Sequence, residues 1–351
     1  MQARGTHQGS PTERDGYRLG EGAGLIGDSR HERIATLACE AARMLREKLI
    51  RTPLVQIPSH LVVAGPDRLL VKLECCQRSG SFKARGATHF LERLLQEGVP
   101  AGVLTYSSGN HGRAVAEAAE VLGIPALVVA PGSIDPLKAQ AVIDAGAELV
   151  RVGPTSDERK QRAEQIAADR GWTIIPPFDH DWIMAGQGTL MLEIIDEIGT
   201  VDHLWVPVGG GGLSAGCAAV AAAQIPGCQV HTVEPEGSAA LARSIAQGRR
   251  LRLESSTSEA DGLLPLTIGQ RNWEVLSSVG VVAEVIDEDQ LLESLRILRC
   301  DCQIEAEPSG ACSVAPLLVP TTGEALPGGT HVAVISGGNV SDERLERLLR
   351  S

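Results

Sequence analysis

The sequence predicts an α/β protein with mainly parallel sheets, and three observations support this fold class. From residue 100 onward, short apolar runs alternate with Ala-rich helical patterns, as in repeated strand-helix units. Glycines stand where three of these helices should end, at Gly123, Gly146 and Gly171. Three of the strands pass directly into loops of small residues. The length of 351 residues and the 43% hydrophobic content allow two domains with sizeable cores.

The predicted strands are short and mostly apolar. They cover residues 101–107, 126–130, 148–152, 203–208, 229–234 and 331–336. Helical patterns lie between them at 112–123, 135–147 and 156–171. The N-terminal stretch is polar and Gly-rich, so we predict a disordered tail over residues 1–30.

Composition and charge exclude several functional classes. The net charge of −12, with Lys and Arg dispersed along the chain, argues against nucleic acid and anionic membrane surfaces as partners. The chain has neither a membrane-length apolar window nor an N-terminal signal core, which predicts a cytoplasmic protein. The eight cysteines include Cys75, Cys76, Cys300 and Cys302, at spacings that match neither a disulfide framework nor a paired zinc motif.

The strongest local motif is "VGGGG", Val208 to Gly212, which follows an apolar strand and precedes a helix that should begin near Leu213. Consecutive glycines expose backbone N–H groups, and the positive end of the following helix favours a phosphate there. A flexible linker is the alternative, but linkers rarely join a buried strand to a helix. Neither nucleotide-binding glycine motif matches, so the predicted ligand is a phosphate that does not belong to a nucleotide.

Two further loops repeat this design. "SSGNHG", Ser107 to Gly112, places hydroxyls, an amide and an imidazole before a helix, and "SGGN", Ser336 to Asn339, follows the last strand. Helix capping would explain one polar residue in such a loop, but not a cluster of this density. Because the carboxyl ends of parallel strands meet at one edge of a sheet, the loops indicate a shared anionic ligand.

Lys83 lies in "QRSGSFKARG", which predicts a turn and then a helix with the lysine about one turn inside it. An exposed helix would tolerate a lysine at that position. Beside a phosphate loop and Phe82, however, a desolvated lysine can lose its proton and form a Schiff base with an aldehyde. A phosphate, an aldehyde and a lysine together indicate pyridoxal phosphate as the cofactor.

Seven motifs in their order and spacing give the chain a family resemblance. They are "RTPL" at 51–54, "VKLECCQRSGSFKARGA" at 71–87, "SSGNHGRAVA" at 107–116, "AGQGT" at 185–189, "PVGGGGLSAG" at 207–216, "EPSGA" at 307–311 and "SGGNV" at 336–340. On these motifs, residues 35–350 resemble the fold type II pyridoxal-phosphate enzymes, in particular the serine/threonine dehydratases and serine racemases.

The resemblance implies a fold of the tryptophan synthase beta type, with two three-layer domains built on mainly parallel sheets. It places a large cofactor-binding domain at 31–100 and 181–351, and a small mobile domain at 101–180. We also expect a homodimer or a homotetramer that acts on a small amino-acid substrate.

The resemblance also assigns residues to the site. The implied cofactor-binding residues are Phe82, Lys83, Asn110, Gly209, Gly210, Gly211, Gly212, Leu213 and Ser336. The implied substrate-binding residues are Ser107, Ser108, Gly109, Asn110 and His111. Lys83 would hold the cofactor covalently and move the α proton, and Asn110 would bind the phenolic oxygen of the cofactor. Ser336 would face the pyridine nitrogen and leave it neutral, which favours β-elimination over transamination.

The implied activity is a dehydratase that converts a β-hydroxy L-amino acid into a 2-keto acid and ammonia. Threonine and serine are the expected substrates, with 3-hydroxyaspartate and phenylserine in the same class. The alternative is a racemase, which needs a second acid/base on the opposite face of the substrate; by motif, that position is Ser108.

Two rivals are less favoured. A β-replacement synthase resembles the chain in fold but has Asp-Arg after the lysine, where this chain has Ala84-Arg85, and a non-catalytic binding protein would not need an intact Lys83.

A divalent cation is doubtful on the same resemblance. Family members that bind one place a glutamate, and an aspartate six residues later, after the strand that follows the glycine loop. Glu234 matches the first of these positions and is the one candidate ligand, but Ala240 occupies the second. The oxygen cage that such an ion needs is therefore incomplete.

Overall fold

A computed structural model gives the fold for residues 29–107, 109–153, 155–319 and 325–350. The predicted tail at 1–30 lies outside these residues, apart from Ser29 and Arg30, which begin the first helix. The Ser29 hydroxyl accepts from the Glu32 N–H, and the Glu32 carboxylate accepts from the Ser29 N–H at 2.8 Å. This reciprocal cap stabilises the start of that helix.

Within the described residues the chain forms ten strands. They are β1 (Leu54–Gln56), β2 (Arg68–Leu73), β3 (Val103–Thr105), β4 (Ala126–Pro131), β5 (Glu148–Val152), β6 (Thr173–Ile174), β7 (His203–Pro207), β8 (Gln229–Pro235), β9 (Val282–Ile286) and β10 (Thr330–Ile335). Six of them form one sheet in the order β1-β2-β10-β7-β8-β9, and the other four form a second sheet in the order β5-β4-β3-β6. All neighbours are parallel except β1 and β2, which confirms the predicted α/β class.

Helices connect these strands, as a parallel sheet requires. In chain order they begin with α1 (Arg30–Leu45), α2 (Lys83–Glu97), α3 (Asn110–Leu122), α4 (Pro136–Asp144), α5 (Ser156–Arg170), α6 (Asp181–Ile198), α7 (Gly212–Gln224), α8 (Ala240–Ala246), α9 (Gln270–Val279) and α10 (Glu288–Cys300). Two single turns and a last helix follow, α11 (Pro308–Ala311), α12 (Ala315–Leu318) and α13 (Asp342–Arg350).

Both faces of the larger sheet are covered by helices. Leu204 and Val206 of β7 face a core shared with α1, α6 and α7, whereas Trp205 between them faces a second core with α10, α12 and α13. The smaller sheet follows the same rule, since Val103 packs towards α3 and Leu104 towards α5. Side chains on a strand alternate between faces, so each strand contributes to two cores.

The six strands predicted from the sequence all occur, with ends that differ by at most two residues. Gly123 and Gly171 follow α3 and α5 with φ values of 66° each, as the predicted helix ends require. All eight cysteines are free thiols. None of the helices in the described ranges is long and apolar enough to cross a membrane.

The topology brings two of the predicted loops together. β10, the last strand in the sequence, lies directly beside β7 in the larger sheet, and the two run parallel. The glycine run after β7 and the "SGGN" loop after β10 therefore leave the same edge of the sheet as neighbours.

Candidate active site

Lys83 is the first residue of α2, so the prediction that it lies about one turn inside a helix is wrong. The chain turns sharply before it, because Ser79 and Gly80 have φ values of 61° and 69°. Phe82 then forms the N-cap, and its N–H donates to the carbonyl oxygen of Ser336 at 3.0 Å. This bond ties the start of α2 to the end of β10, so the backbone of Lys83 is held at the edge of the larger sheet.

The Lys83 amine has a neutral acceptor as its hydrogen-bond partner. Its Nζ donates to the carbonyl oxygen of Pro177 at 2.8 Å and lies 5.0 Å from the centroid of the Phe82 ring. Burial lowers the pKa of Lys83 to about 8, because the surrounding protein disfavours the charged amine. A substantial neutral fraction near that pH makes the amine both a nucleophile and a base.

The glycine loop that is predicted to bind phosphate, Gly209 to Leu213, is called the phosphate loop below, and it presents a row of unused backbone donors. Within the described part of the chain, none of its five N–H groups has an acceptor. Gly211 adopts a φ of 91°, and α7 begins at the next residue. An anion seated here would receive these N–H groups and the positive end of a 13-residue helix.

The surroundings of this loop explain why it is made of glycine. A Cβ on Gly210 would lie 2.3 Å from the Phe178 ring, and one on Gly209 would lie 2.9 Å from the carbonyl oxygen of Gly262. The carbonyl oxygen of Gly210 accepts from the Asn272 side chain at 2.7 Å, away from the row of free donors. Side chains are thus excluded at Gly209 and Gly210, and Asn272 of α9 holds the carbonyl group of Gly210.

Asn110, the first residue of α3, joins the two sheets at the site. Its Nδ2 donates to Glu307 at 2.6 Å, and its Oδ1 accepts from the Asn339 side chain at 2.8 Å. Arg113, one turn further along α3, donates to the Asn339 Oδ1 at 3.0 Å. The structure therefore brings together the "SSGNHG", "EPSGA" and "SGGN" motifs, which are far apart in the sequence.

Glu307 is a buried acid that the sequence analysis left without a role. It is 4% exposed, and burial raises its pKa to about 7, with the nearby charge of Asp261 adding to the effect. A carboxyl group with this pKa can hold or release a proton near neutral pH. The motif "EPSGA" was visible in the sequence, but burial of its glutamate depends on contacts with the distant Asn110 and Gly337.

The remaining predicted substrate residues lie where β3 gives way to α3. Ser107 and Gly109 flank Ser108, which lies outside the described residues. His111 is buried, with its Nε2 3.3 Å from the carbonyl oxygen of Ile175. Burial, together with the charge of Lys83, lowers the pKa of His111 to about 3, so the ring is neutral near pH 7. Its Nδ1 has no acceptor or donor within the described part of the chain.

A comparison with protein families identifies the family of the chain. The model described as "Pyridoxal-phosphate dependent enzyme" matches residues 45–337, which is more than half of the chain. The chain belongs to this family. Among curated relatives, an L-threo-3-hydroxyaspartate ammonia-lyase from Saccharomyces cerevisiae is 33% identical over 88% of this chain and 94% of its own. A serine racemase from Schizosaccharomyces pombe is 34% identical over 79% of this chain and 85% of its own.

Solved structures of the pyridoxal-phosphate family share the fold. A T.th. threonine deaminase superposes with a TM-score of 0.79 at 36% identity, covering 87% of this chain and 98% of its own. The predicted fold type II architecture, with its mainly parallel sheets, is thereby confirmed. The chain is a pyridoxal-phosphate enzyme of the group that includes serine/threonine dehydratases and serine racemases.

The residues present fit the cofactor of this family. The free N–H groups of the phosphate loop suit its phosphate, and the Lys83 amine suits its aldehyde. Ser336, predicted to face the pyridine nitrogen, is buried directly after β10, and its hydroxyl donates to the carbonyl oxygen of Ser309 at 3.2 Å.

Glu234 has a structural role in this pyridoxal-phosphate enzyme. Its two carboxylate oxygens accept the N–H groups of Leu241 and Ala242, at 2.9 Å and 2.8 Å, near the start of α8. Burial raises the pKa of Glu234 to about 7. Among the described residues, no group of three or more His, Cys, Asp or Glu side chains could hold a metal ion.

Behind Lys83 lies a buried ionic network that the sequence did not indicate. Arg85 donates two hydrogen bonds to Glu74, at 2.7 Å and 2.8 Å, and two to Glu193 on α6, at 2.6 Å and 2.9 Å. Lys72 donates to Glu193 at 2.6 Å. Two cations and two carboxylates alternate, so the charges of the network are balanced without solvent.

Proposed function

We propose that this protein is an ammonia-lyase that eliminates water from a β-hydroxy L-amino acid and yields a 2-keto acid and ammonia. L-Threonine and L-serine are the proposed substrates, with 3-hydroxyaspartate and phenylserine in the same class. The observation that carries the proposal is the Lys83 amine, whose pKa is lowered to about 8, in a chain that also presents the free donors of the phosphate loop.

The proposed cofactor site uses the residues expected from the sequence. The N–H groups from Gly209 to Leu213 would hold the phosphate of the cofactor, and Phe82 would lie against its ring. Asn110 and Ser336 would contact its polar ring atoms. When bound, pyridoxal phosphate supplies an aldehyde for the lysine and an electron sink for the electrons left at the substrate α carbon.

Lys83 is the proposed base. Its neutral amine takes the α proton of the substrate, the bond from the β carbon to the hydroxyl breaks, and the hydroxyl leaves as water with one added proton. Water then replaces the amino nitrogen, so that the products are the 2-keto acid and ammonia. Because the pKa of the free Lys83 amine is near 8, its reaction with the aldehyde of the cofactor should become faster as the pH rises through this value.

The start of α3 is the proposed site for the substrate carboxylate. Ser107, Ser108, Gly109 and Asn110 would supply hydroxyl, amide and backbone donors, and the positive end of α3 would favour the negative charge. His111 remains neutral near pH 7, so it can donate or accept a hydrogen bond without adding a charge.

Racemisation is the second candidate function, because the sequence has a serine at position 108, where a second acid/base is required. A serine racemase is also among the relatives. A racemase would use Lys83 on one face of the substrate and Ser108 on the other.

The test is a panel of β-hydroxy amino acids, each as both enantiomers, with separate assays for keto acid and for chirality. We expect keto acid and ammonia in equal amounts from at least one L-substrate, and none from the Lys83→Ala variant. Keto acid formation by Lys83→Ala at the native rate would refute the proposal. Interconversion of enantiomers without keto acid would favour the racemase.

We further propose a cytoplasmic homodimer or homotetramer with two domains. A large domain, residues 31–100 and 181–351, would bind the cofactor, and a small domain, residues 101–180, would move. Support comes from the two sheets, since the strands of the smaller one all lie between Val103 and Ile174. Sedimentation equilibrium measures the oligomer, and a monomer at micromolar concentration would contradict it.

A further inference from the structure

Helix α6 lies between the two elements that form the proposed cofactor site. Both α2 and α7 pack against it. The first residue of α2 is Lys83, and the first residue of α7 is Gly212 of the phosphate loop. The separation between the lysine and the phosphate loop therefore depends on how closely each helix approaches α6.

The contact between α2 and α6 is made by backbone atoms. A Cβ on Gly186 of α6 would lie 2.7 Å from the Cα of Gly86 and 2.8 Å from the carbonyl oxygen of Arg85. Real Cβ atoms do not approach other atoms this closely, so the two helices are as near as their backbones allow.

The contact between α6 and α7 is of the same kind. A Cβ on Gly188 would lie 2.9 Å from the carbonyl oxygen of Gly216 on α7. A Cβ on Gly216 would in turn lie 2.2 Å from the carbonyl oxygen of Met184. Gly186 and Gly188 thus contact the lysine helix and the phosphate-loop helix, respectively.

Arg85 fixes the position of α2 along α6. Its guanidinium donates to Glu193 and, at 3.1 Å, to the hydroxyl of Thr189, and these two residues are one turn apart on α6. Glycine contacts alone would let the helices slide, whereas a planar group with partners on two turns resists sliding. Arg85 is 1% exposed, so water does not compete for these bonds.

We propose that α6 positions Lys83 relative to the phosphate loop, with Gly186, Gly188 and Arg85 as the positioning residues. This inference rests on the proposed function, because the distance between Lys83 and the phosphate loop matters only if both bind the same cofactor. We infer that α6 sets this distance. A methyl group on Gly186 must push α2 away by about 1 Å to reach an ordinary contact distance. A displacement of about 1 Å at a reacting group can lower a rate by about 100-fold.

The first arm of the experiment uses Gly186→Ala, with Gly227→Ala as its matched control. Gly227 has open space around its Cα, so a methyl group there meets nothing within 4 Å. In the apoprotein, acetic anhydride labelling of Lys83 as a function of pH, read by mass spectrometry, should give a midpoint near 8 for the native chain. Gly186→Ala should shift this midpoint away from the native value, because displacing α2 changes the contact between the amine and the carbonyl oxygen of Pro177, which is 2.8 Å in the native chain. In the cofactor-loaded enzyme, kcat should fall 10- to 100-fold with KM within about twofold.

The second arm uses Gly188→Ala and inorganic phosphate as the probe of the apoprotein. Displacing α7 should weaken phosphate binding several-fold and leave the Lys83 labelling midpoint unchanged. Gly186→Ala should show the reverse pattern. If Gly186→Ala does not fold, Gly86→Ala replaces it, since its methyl group would meet mainly the Gln187 side chain, at 2.5 Å, and should give a weaker form of the same result.

These outcomes separate the inference from the proposed function. Failure of the native enzyme to form keto acid would refute the function, while the labelling and phosphate measurements on the apoprotein would still test α6. The inference is overturned if Gly186→Ala labels like Gly227→Ala. It is also overturned if Gly186→Ala and Gly188→Ala change labelling and phosphate binding equally, because general loosening would then explain both.

Discussion

Replacing Arg85 with lysine tests the buried network behind the proposed site. Arg85 donates five hydrogen bonds, four of them to the carboxylates of Glu74 and Glu193. A lysine keeps the positive charge, but its single nitrogen cannot reach both carboxylates in the same planar arrangement. Loss of at least two charge-assisted bonds, at about 1.5 kcal/mol each, predicts a decrease of about 3 kcal/mol in the free energy of unfolding.

The matched control is Arg296→Lys. Arg296 also donates two bonds to one carboxylate, that of Glu293 at 2.8 Å and 2.6 Å, but this pair is exposed on α10. Arg296→Lys should lower the free energy of unfolding by less than about 1 kcal/mol, because water replaces the lost contacts with Glu293. Urea unfolding of both variants, followed by circular dichroism, measures the two costs. If Arg85→Lys were no more destabilising than Arg296→Lys, the view that this network holds α2 in place would be refuted.

Three further substitutions test the phosphate loop, a buried histidine and Ser108. Gly210→Ala would place a Cβ 2.3 Å from the Phe178 ring and should weaken the binding of inorganic phosphate to the apoprotein at least tenfold; unchanged affinity in calorimetry would contradict the phosphate loop. His331 accepts from Trp205 at 3.1 Å, and burial lowers the pKa of His331 to about 4, below its unfolded value near 6.5. Stability should therefore fall by up to about 3 kcal/mol as the pH drops from 6.5 to 4, since the unfolded chain binds the proton first. The His331→Gln variant should lose less stability than the native protein over this pH range. If urea unfolding shows the same pH dependence for both proteins, His331 is not the group responsible. Ser108→Ala should abolish any racemisation while elimination from one enantiomer continues, and a parallel loss of both activities in chiral assays would instead indicate a role in binding.

Much of the fold was predictable because its signals are local. Each predicted strand is a short apolar run, and glycines such as Gly123 and Gly171 adopt the positive φ that ends a helix. The glycine loop could also be recognised from the sequence, because four consecutive glycines between a strand and a helix form a local pattern. The start of α2 was misplaced because the turn at Ser79 is formed by a non-glycine residue with positive φ, which sequence patterns rarely indicate.

The support of the site was not predictable, because it depends on contacts between distant parts of the chain. Arg85 and Glu193 are 108 positions apart, and Asn110 and Glu307 are 197 positions apart. A charged residue in a helical pattern normally indicates an exposed face, so nothing local distinguishes Arg85 from a surface arginine. Its burial follows from the packing of α2 on α6, which only the assembled fold reveals.

A labelling experiment tests whether Lys83 is the covalent anchor of the cofactor. The native protein is mixed with pyridoxal phosphate, reduced with borohydride, digested and analysed by mass spectrometry. We expect the pyridoxyl group on the peptide that contains Lys83, at close to one per chain, and its loss when inorganic phosphate competes in excess. Label spread over other lysines, or a Lys83 peptide without label, would contradict it.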